Sequence, residues 1–141
     1  MHINDAVVRV RYQETDQMGV AYHGNYYTWF EVGRSSFFRS LGYTYKQLEQ
    51  EGIILPVIES NCSYKVGAKY DDELWIRTKI KNLKGVRIVF EYKIIRKKDE
   101  VLLAMGETTH AFVDKTLKPV NFKKRNPKIW DLLYACLEEV K

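Results

Sequence analysis

Residues 14–34, ETDQMGVAYHGNYYTWFEVGR, place an acid, Asp16, a few positions ahead of an aromatic-rich stretch. A carboxylate held in a cleft can attack a carbonyl carbon or take a proton from water. A solvated turn is the simpler alternative, because Asp at the first and Gly at the fourth position of DQMG favour a β-turn. The residues that follow the turn bear on the choice.

The turn leads through Tyr22 and His23 directly into a predicted helix that Gly24 or Asn25 would cap. The first amides of a helix have no acceptor within it and lie at its positive end, so they can stabilise developing negative charge. A carboxylate beside such amides has the parts that acyl transfer needs, and no serine nucleophile elbow or metal motif competes with it. Asp16 is therefore the candidate catalytic residue.

One long helix must carry this site, and its apolar spacing is visible in the sequence. Side chains recur at intervals of three and four over residues 25–41, which predicts a helix ending near Gly42: Tyr26, Phe30, Gly33, Phe37 and Leu41. Further apolar side chains lie off this stripe, so we expect protein to cover the helix on several sides: Tyr27, Trp29, Val32 and Phe38. Glu31 and Arg34, three residues apart, predict a local ion pair.

The remaining elements alternate between strand and helix signals. Residues 7–12 alternate as a first strand, and a Thr44–Gln47 capping box opens a short helix that ends at Gly52. Four strands with period two follow, and three or four of them form an antiparallel meander, with predicted inward faces that include Ile58, Cys62, Tyr64, Leu74, Ile76, Phe90, Tyr92, Leu103, Met105, Ala111 and Val113. Asn126 and Pro127 begin a terminal helix whose apolar face extends to Val140.

These elements predict a single α+β domain over residues 1–141, in which one antiparallel sheet curls around the long helix. The longest uncharged apolar run, residues 53–58, is too short to span a bilayer, and the N-terminus has no signal-like pattern. We therefore expect a cytoplasmic protein. Cys62 and Cys136 lack metal-ligand spacing and are predicted to be buried, reduced thiols.

The net charge of +5 suits an anionic partner without identifying it. The cations are scattered, and no basic stripe of the kind that binds nucleic acid is present. If the partner carries phosphates, several basic residues could attract them, and the sequence does not choose among Lys65, Arg96, Lys97, Lys123, Lys124 and Arg125.

The segment TDQMGVAYHGNY, followed by WFE, resembles the signature of the 4-hydroxybenzoyl-CoA thioesterase branch of the hotdog superfamily, in particular its YbgC-type acyl-CoA thioesterases. Weaker similarity continues through YKQLEQEGIILPVIE, YDDEL and GETTHAFVD, so the resemblance covers residues 7 to about 120. The order of elements also agrees with that family.

The resemblance implies a hotdog fold, with the sheet wrapped around a central helix, and a homodimer or homotetramer whose active sites lie at subunit interfaces. It implies hydrolysis of an acyl-CoA to a carboxylic acid and coenzyme A, with no metal or redox cofactor, since coenzyme A is part of the substrate. By position, Asp16 matches the nucleophile or general base, and the amide of His23 or Gly24 matches the donor to the thioester carbonyl. Tyr22 and Asn25 would shape the helix entrance.

The role of His23 stays open between an acid that protonates the leaving thiolate and a pocket residue whose amide alone acts; we favour the amide, because relatives need not have His here. Two rival functions also remain. One is a hotdog 3-hydroxyacyl thioester dehydratase with His23 as base. The other is a non-catalytic module that binds acyl-CoA or nucleic acid.

Overall fold

A computed structural model describes residues 1–137 and arranges them in five antiparallel strands and four α-helices. The bounds in chain order are β1 Asn4–Arg9, α1 Asn25–Ser40, α2 Tyr45–Gln50, β2 Val57–Tyr64, β3 Glu73–Lys84, β4 Arg87–Arg96, β5 Val101–Ala111, α3 Phe122–Arg125 and α4 Pro127–Ala135. A single 3-10 turn, Tyr12–Glu14, separates β1 from the segment that contains Asp16. The α+β class predicted from the sequence is confirmed.

The five strands form one sheet in the order β1-β3-β4-β5-β2. Strands β3, β4 and β5 form the predicted meander with three strands, the smaller of the two predicted numbers, and β2 does not continue it. Strand β2 crosses to the far side and pairs with β5, where Cys62 lies opposite Gly106. This crossover leaves β1 and β2 as the two edges of the sheet.

Helix α1 packs across one face of the sheet, as its apolar spacing predicts. Phe30 and Phe37 are fully buried, and the ring of Phe30 stacks on Tyr92 of β4 with centroids 4.4 Å apart. At Gly33 a Cβ atom would lie only 2.6 Å from side-chain atoms of Ile76 and Thr78. The absence of a side chain at Gly33 therefore lets the helix backbone approach β3 closely.

The prediction that protein covers α1 on several sides holds only in part within this single chain. Trp29 and Phe38 are buried, whereas Tyr27 and Val32 remain 38% and 41% exposed. The exposed pair marks a side of α1 that residues 1–137 leave uncovered.

The predicted caps of the shorter helices are present. Thr44 Oγ1 accepts from the Gln47 amide at 3.2 Å, while the Gln47 side chain accepts from the Thr44 amide at 2.8 Å. Asn126 Oδ1 accepts from the amide of Ile129 at 3.1 Å and opens α4. Val140, predicted to continue that helix, lies outside the described residues.

Two strand predictions need correction. Strand β1 begins at Asn4 and ends at Arg9, three residues earlier than predicted, because the chain turns into the 3-10 turn at Tyr12. In β5 the predicted inward positions Met105 and Ala111 are wrong. The register shifts around Leu103, and this bulge inverts the alternation, so the buried face becomes Ala104, Gly106, Thr108 and His110.

Other predicted burials hold less well. Cys136 is buried, but Cys62 is only half-buried; both are free thiols. Ile58 and Tyr64, predicted on an inward face of β2, are 48% and 45% exposed because β2 is an edge strand. Over residues 1–137, no helix has the length and apolar character needed to cross a membrane.

Candidate active site

Asp16 lies at the head of a tight turn that fixes one of its carboxylate oxygens. The Gly19 amide donates to the Asp16 carbonyl at 3.0 Å, and the Met18 amide donates to Asp16 Oδ1 at 2.9 Å. Gly19 supplies the left-handed backbone, with φ of +79°, that closes the turn. The second oxygen, Oδ2, accepts no hydrogen bond from residues 1–137, so the half-buried carboxylate is oriented but keeps a reactive oxygen.

The helix start next to this turn carries amides that are not used by the protein. Gly24 is the N-cap, and no side chain caps α1. The amides of Asn25 and Tyr26 donate to the carbonyls of Tyr22 and His23. Those of His23 and Gly24 have no acceptor among the described residues, so they are free to bind a substrate oxygen.

Asp16 and His23 border the same pocket, of about 230 Å³. The turn, the helix start and the segment that follows β2 meet there, and the lining residues are Asp16, Met18, Val20, Ala21, His23, Tyr26, Tyr64, Lys65, Val66 and Gly67. The structure thus brings the candidate carboxylate and the helix-start residue together. Of the candidate phosphate-binding cations, Lys65 lines this pocket, while Arg96 pairs with Asp99 and Lys97 with Glu73.

Tyr22, His23 and Asn25 each contribute differently to the entrance. Tyr22 covers Gly24, where a Cβ atom would lie 2.8 Å from the Tyr22 ring. The imidazole of His23 is exposed and lies against Tyr22, with ring centroids 4.4 Å apart, while its carbonyl accepts from the Tyr64 hydroxyl at 3.2 Å. The Asn25 side chain points to the preceding turn and donates to the Glu14 carbonyl at 2.8 Å.

Glu14, which sequence reasoning missed, holds the turn that contains Asp16 onto α1. Its buried carboxylate accepts from the Trp29 indole at 3.1 Å and from the Arg11 amide at 2.8 Å. Its carbonyl accepts from the Tyr22 amide and from the Asn25 side chain. The available signal was Trp29, because a buried indole N–H needs an acceptor.

The predicted ion pair between Glu31 and Arg34 is wrong. Arg34 instead donates from Nε to the Tyr45 hydroxyl at 2.6 Å and from Nη1 to the Tyr92 hydroxyl at 3.1 Å. Tyr92 comes from β4, far along the chain, so the local spacing of Glu31 and Arg34 gave no sign of it. No group of three or more His, Cys, Asp or Glu in the described part of the chain is arranged to hold a metal ion.

Comparison with known proteins gives consistent results. Residues 18–103 match the family model described as the thioesterase superfamily. YneP of Bacillus subtilis, provisionally named as an acyl-CoA thioesterase, is 37% identical over 135 residues, which cover 95% of this chain and 96% of YneP. The acyl-CoA thioesterase YbgC of Haemophilus influenzae is 36% identical, over 83% of this chain and 86% of YbgC.

A solved structure agrees closely in fold. The crystal structure of a DHNA-CoA thioesterase from Staphylococcus aureus superposes with a TM-score of 0.88 at 34% identity, covering 96% of this chain and 90% of that one. The similarity therefore extends over nearly the whole described fold.

Proposed function

The chain belongs to the thioesterase superfamily and has its hotdog fold, and on this premise we propose that it hydrolyses acyl-CoA thioesters at the Asp16 pocket. The names of the two relatives support this substrate class. The observation that carries the proposal is a carboxylate with one free oxygen in the same pocket as His23, at a helix start where the amides of His23 and Gly24 have no acceptor among residues 1–137.

In the proposed reaction the thioester carbonyl oxygen accepts hydrogen bonds from the amides of His23 and Gly24. Asp16 either attacks the carbonyl carbon itself, with water hydrolysing the resulting anhydride, or removes a proton from an attacking water. Both routes consume one water, break the C–S bond and release a carboxylic acid and coenzyme A. The amides stabilise the charge on the oxygen in the tetrahedral intermediate, and the scheme uses no metal or redox cofactor.

The neighbouring residues have supporting roles in this scheme. Tyr22 lies against Gly24 and shapes the helix entrance, and Asn25 fixes the helix start against Glu14. We assign the amide rather than the imidazole of His23 to catalysis, because the ring is exposed and lies against Tyr22. Lys65, on the rim of the pocket, is suited to attract a phosphate of coenzyme A.

The proposed active form is a homodimer joined through β2, with a tetramer as a dimer of dimers. The edge strand and the residues just after it expose apolar side chains to about half of their area: Val57, Ile58, Tyr64 and Val66. An open edge with apolar side chains favours pairing with another strand. Because Tyr64 and Val66 also line the Asp16 pocket, pairing here would bring a partner subunit to the site.

The test is thiol release from a graded series of acyl-CoA substrates by the wild type and by Asp16→Asn. The series should include an aromatic acyl group, because the Staphylococcus aureus relative is named for DHNA-CoA. Asn keeps the shape of Asp but is a poor nucleophile and base, so kcat should fall on the order of 10³-fold while the fold is retained. Near-normal turnover by Asp16→Asn would refute the mechanism.

Two further assays separate the rival functions. Hydration of an enoyl-CoA, abolished by His23→Gln, would support the dehydratase. Strongly salt-dependent oligonucleotide binding without thioester hydrolysis would support the binding module. If the amide of His23 alone acts, His23→Gln should hydrolyse acyl-CoA within a few-fold of the wild type.

A further inference from the structure

A second polar feature lies on α1, ten positions after Gly24. The guanidinium of Arg34 is half-buried, and its hydrogen-bond acceptors among residues 1–137 are the hydroxyls of Tyr45 and Tyr92. Burial raises the pKa of Tyr45 to about 12, so this phenol is neutral and does not compensate the positive charge. None of the ion pairs formed within residues 1–137 includes Arg34.

A buried chain of hydrogen bonds fixes the orientation of this guanidinium. Arginine can only donate, so Tyr92 accepts from Arg34 and must donate to Thr108, 2.6 Å away. Thr108 then donates to His110 Nε2 at 2.8 Å, and His110 Nδ1 donates to the Leu55 carbonyl at 3.0 Å. Arg34 at one end can only donate, and the Leu55 carbonyl at the other end can only accept. Both ends therefore require that the hydrogen bonds donate in the direction from Arg34 to Leu55.

These hydrogen bonds leave some donors of the Arg34 guanidinium unused. Of its five N–H groups, Tyr45 and Tyr92 accept from two. The other donors have no acceptor in the described part of the protein. A cation that is held rigidly, with donors still available, is suited to bind an anionic oxygen group in the bidentate manner of arginine.

Two pockets border Arg34, and both are also lined by Glu31. The first, of about 270 Å³, is lined by Tyr27, Thr28, Glu31, Arg34, Val57, Ser60 and Thr108. It extends from the first turn of α1, directly after the free amides, to Arg34. The second, of about 370 Å³, continues past Arg34 toward α2 and includes Tyr45 and Leu55.

The geometry of α1 sets the length of a ligand that would reach from the free amides at the helix start to Arg34. Ten residues from Gly24 to Arg34 rise about 15 Å, and helical side chains lean toward the N-terminus, which shortens the span. An acyl group whose carbonyl meets the amide of Gly24 could therefore extend along α1 and reach Arg34 with its far end.

We propose that Arg34 determines acyl specificity by binding a carboxylate at the far end of the acyl group, so that the preferred substrates are coenzyme A monothioesters of medium-length dicarboxylic acids. This inference rests on the proposed thioesterase function. Arg34 supplies the charge and the donors, and the hydroxyls of Thr28 and Ser60 line the path to it.

Glu31 provides a second test of carboxylate binding by Arg34. Its exposed carboxylate lines both pockets, so it opposes the entry of a second carboxylate. Glu31→Gln should therefore strengthen the preference for a dicarboxylic substrate, whereas loss of Arg34 should remove it. A substrate hydroxyl would behave in the opposite way, because it could donate to Glu31 while it accepts from Arg34.

The experiment compares kcat/KM for suberoyl-CoA, 8-hydroxyoctanoyl-CoA and octanoyl-CoA, which share one chain length. For the wild type we expect suberoyl-CoA to exceed octanoyl-CoA by at least about tenfold, since one charged hydrogen-bonded contact contributes roughly that much or more. Arg34→Gln should lose this preference, mainly through a rise in the KM for suberoyl-CoA relative to that for octanoyl-CoA. Glu31→Gln should raise the preference several-fold.

Three results would overturn the role of Arg34. The first is equal kcat/KM for suberoyl-CoA and octanoyl-CoA in the wild type, and the second is an equal fall in kcat/KM for both substrates in folded Arg34→Gln. The third is a preference for 8-hydroxyoctanoyl-CoA that Glu31→Gln weakens. If Arg34→Gln does not fold, Glu31→Gln still decides by the direction of its effect, because Glu31 is exposed. A failure of the thioesterase proposal is distinct, since the wild type would then hydrolyse none of the three.

Discussion

Glu14 and Asp16 are two acids of one short segment, and their environments separate their roles. The Glu14 carboxylate is buried and uses both oxygens, one on the Arg11 amide and the other on the Trp29 indole. The Asp16 carboxylate is half-buried and uses one. We infer that Glu14 holds the turn in place while Asp16 remains available for chemistry.

This difference predicts opposite effects of two amide substitutions. Glu14→Gln replaces a charged acceptor with a weaker one and puts an amide N–H where only donors point, so the free energy of unfolding should fall by about 1–3 kcal/mol. Asp16→Asn should leave that free energy nearly unchanged and lower kcat on the order of 10³-fold. Urea unfolding of both variants measures the first effect, and equal losses of stability would contradict the assignment.

His110 predicts a pH dependence of stability. Burial, with a contribution from the Arg34 charge, lowers its pKa to about 4 in the folded state, below the ordinary value of 6.5. The unfolded chain therefore binds a proton between these two values that the folded chain does not. Acidification from pH 7 should remove stability through this window, by roughly 3 kcal/mol at pH 4.

Chemical unfolding at a series of pH values measures this slope, and His110→Gln is the matched control. Gln lacks the titrating group, so the variant should lose most of the slope between pH 6.5 and 4, whatever its stability at pH 7. An unchanged slope in His110→Gln would assign the pH dependence to other groups.

At the scale of elements, the contact between α1 and β3 contains one unsatisfied polar atom. Thr78 is fully buried against Gly33, and its hydroxyl has no hydrogen-bond partner within residues 1–137. Thr78→Val has nearly the same shape and removes that hydroxyl. We expect the free energy of unfolding to rise by about 1 kcal/mol, measured by thermal or urea unfolding. A loss of stability would mean that the hydroxyl has a partner, such as water.

The sequence predicted the elements whose signals are local. The spacing of Tyr26, Phe30, Gly33 and Phe37 located α1, and the capping residues located α2 and α4. The inward face of β5 could not be predicted, because the bulge at Leu103 is set by pairing with β4 and inverts the alternation. The position of β2 was also missed, since strand order depends on contacts between distant segments.

In the candidate site, too, local features could be predicted and contacts between distant segments could not. Asp16 and the helix start are neighbours in the sequence, so their juxtaposition could be predicted. The hydrogen bonds of Arg34 could not, because Tyr92 is 58 positions away and reaches Arg34 only through the sheet. The local interpretation of Arg34 as the partner of Glu31 was accordingly wrong.

At the scale of the whole molecule, the exposed edge at β2 predicts the oligomeric state. If dimers form through this edge, Ile58→Lys should place a charge in the interface and yield monomers, because lysine on an edge strand opposes edge pairing. Light scattering after size-exclusion chromatography measures the mass, and thiol release measures activity. We expect both the dimer and the activity to be lost.

Leu117→Lys is the control for this prediction. Leu117 is also exposed and apolar, at 67%, but it lies in the turn after β5 and is not part of the edge strand. It should retain both mass and activity. An active monomer of Ile58→Lys, or an unchanged mass, would contradict an interface through β2.

Strand β2 forms one of the two edges of the sheet. Together with the residues just after it, this strand also borders two pockets, through Val57, Ser60, Tyr64 and Lys65. If subunits pair through this edge, a mutation in this stretch would alter self-association and ligand fit at once during evolution. Lineages that diverge in acyl preference should therefore also diverge in how their subunits assemble.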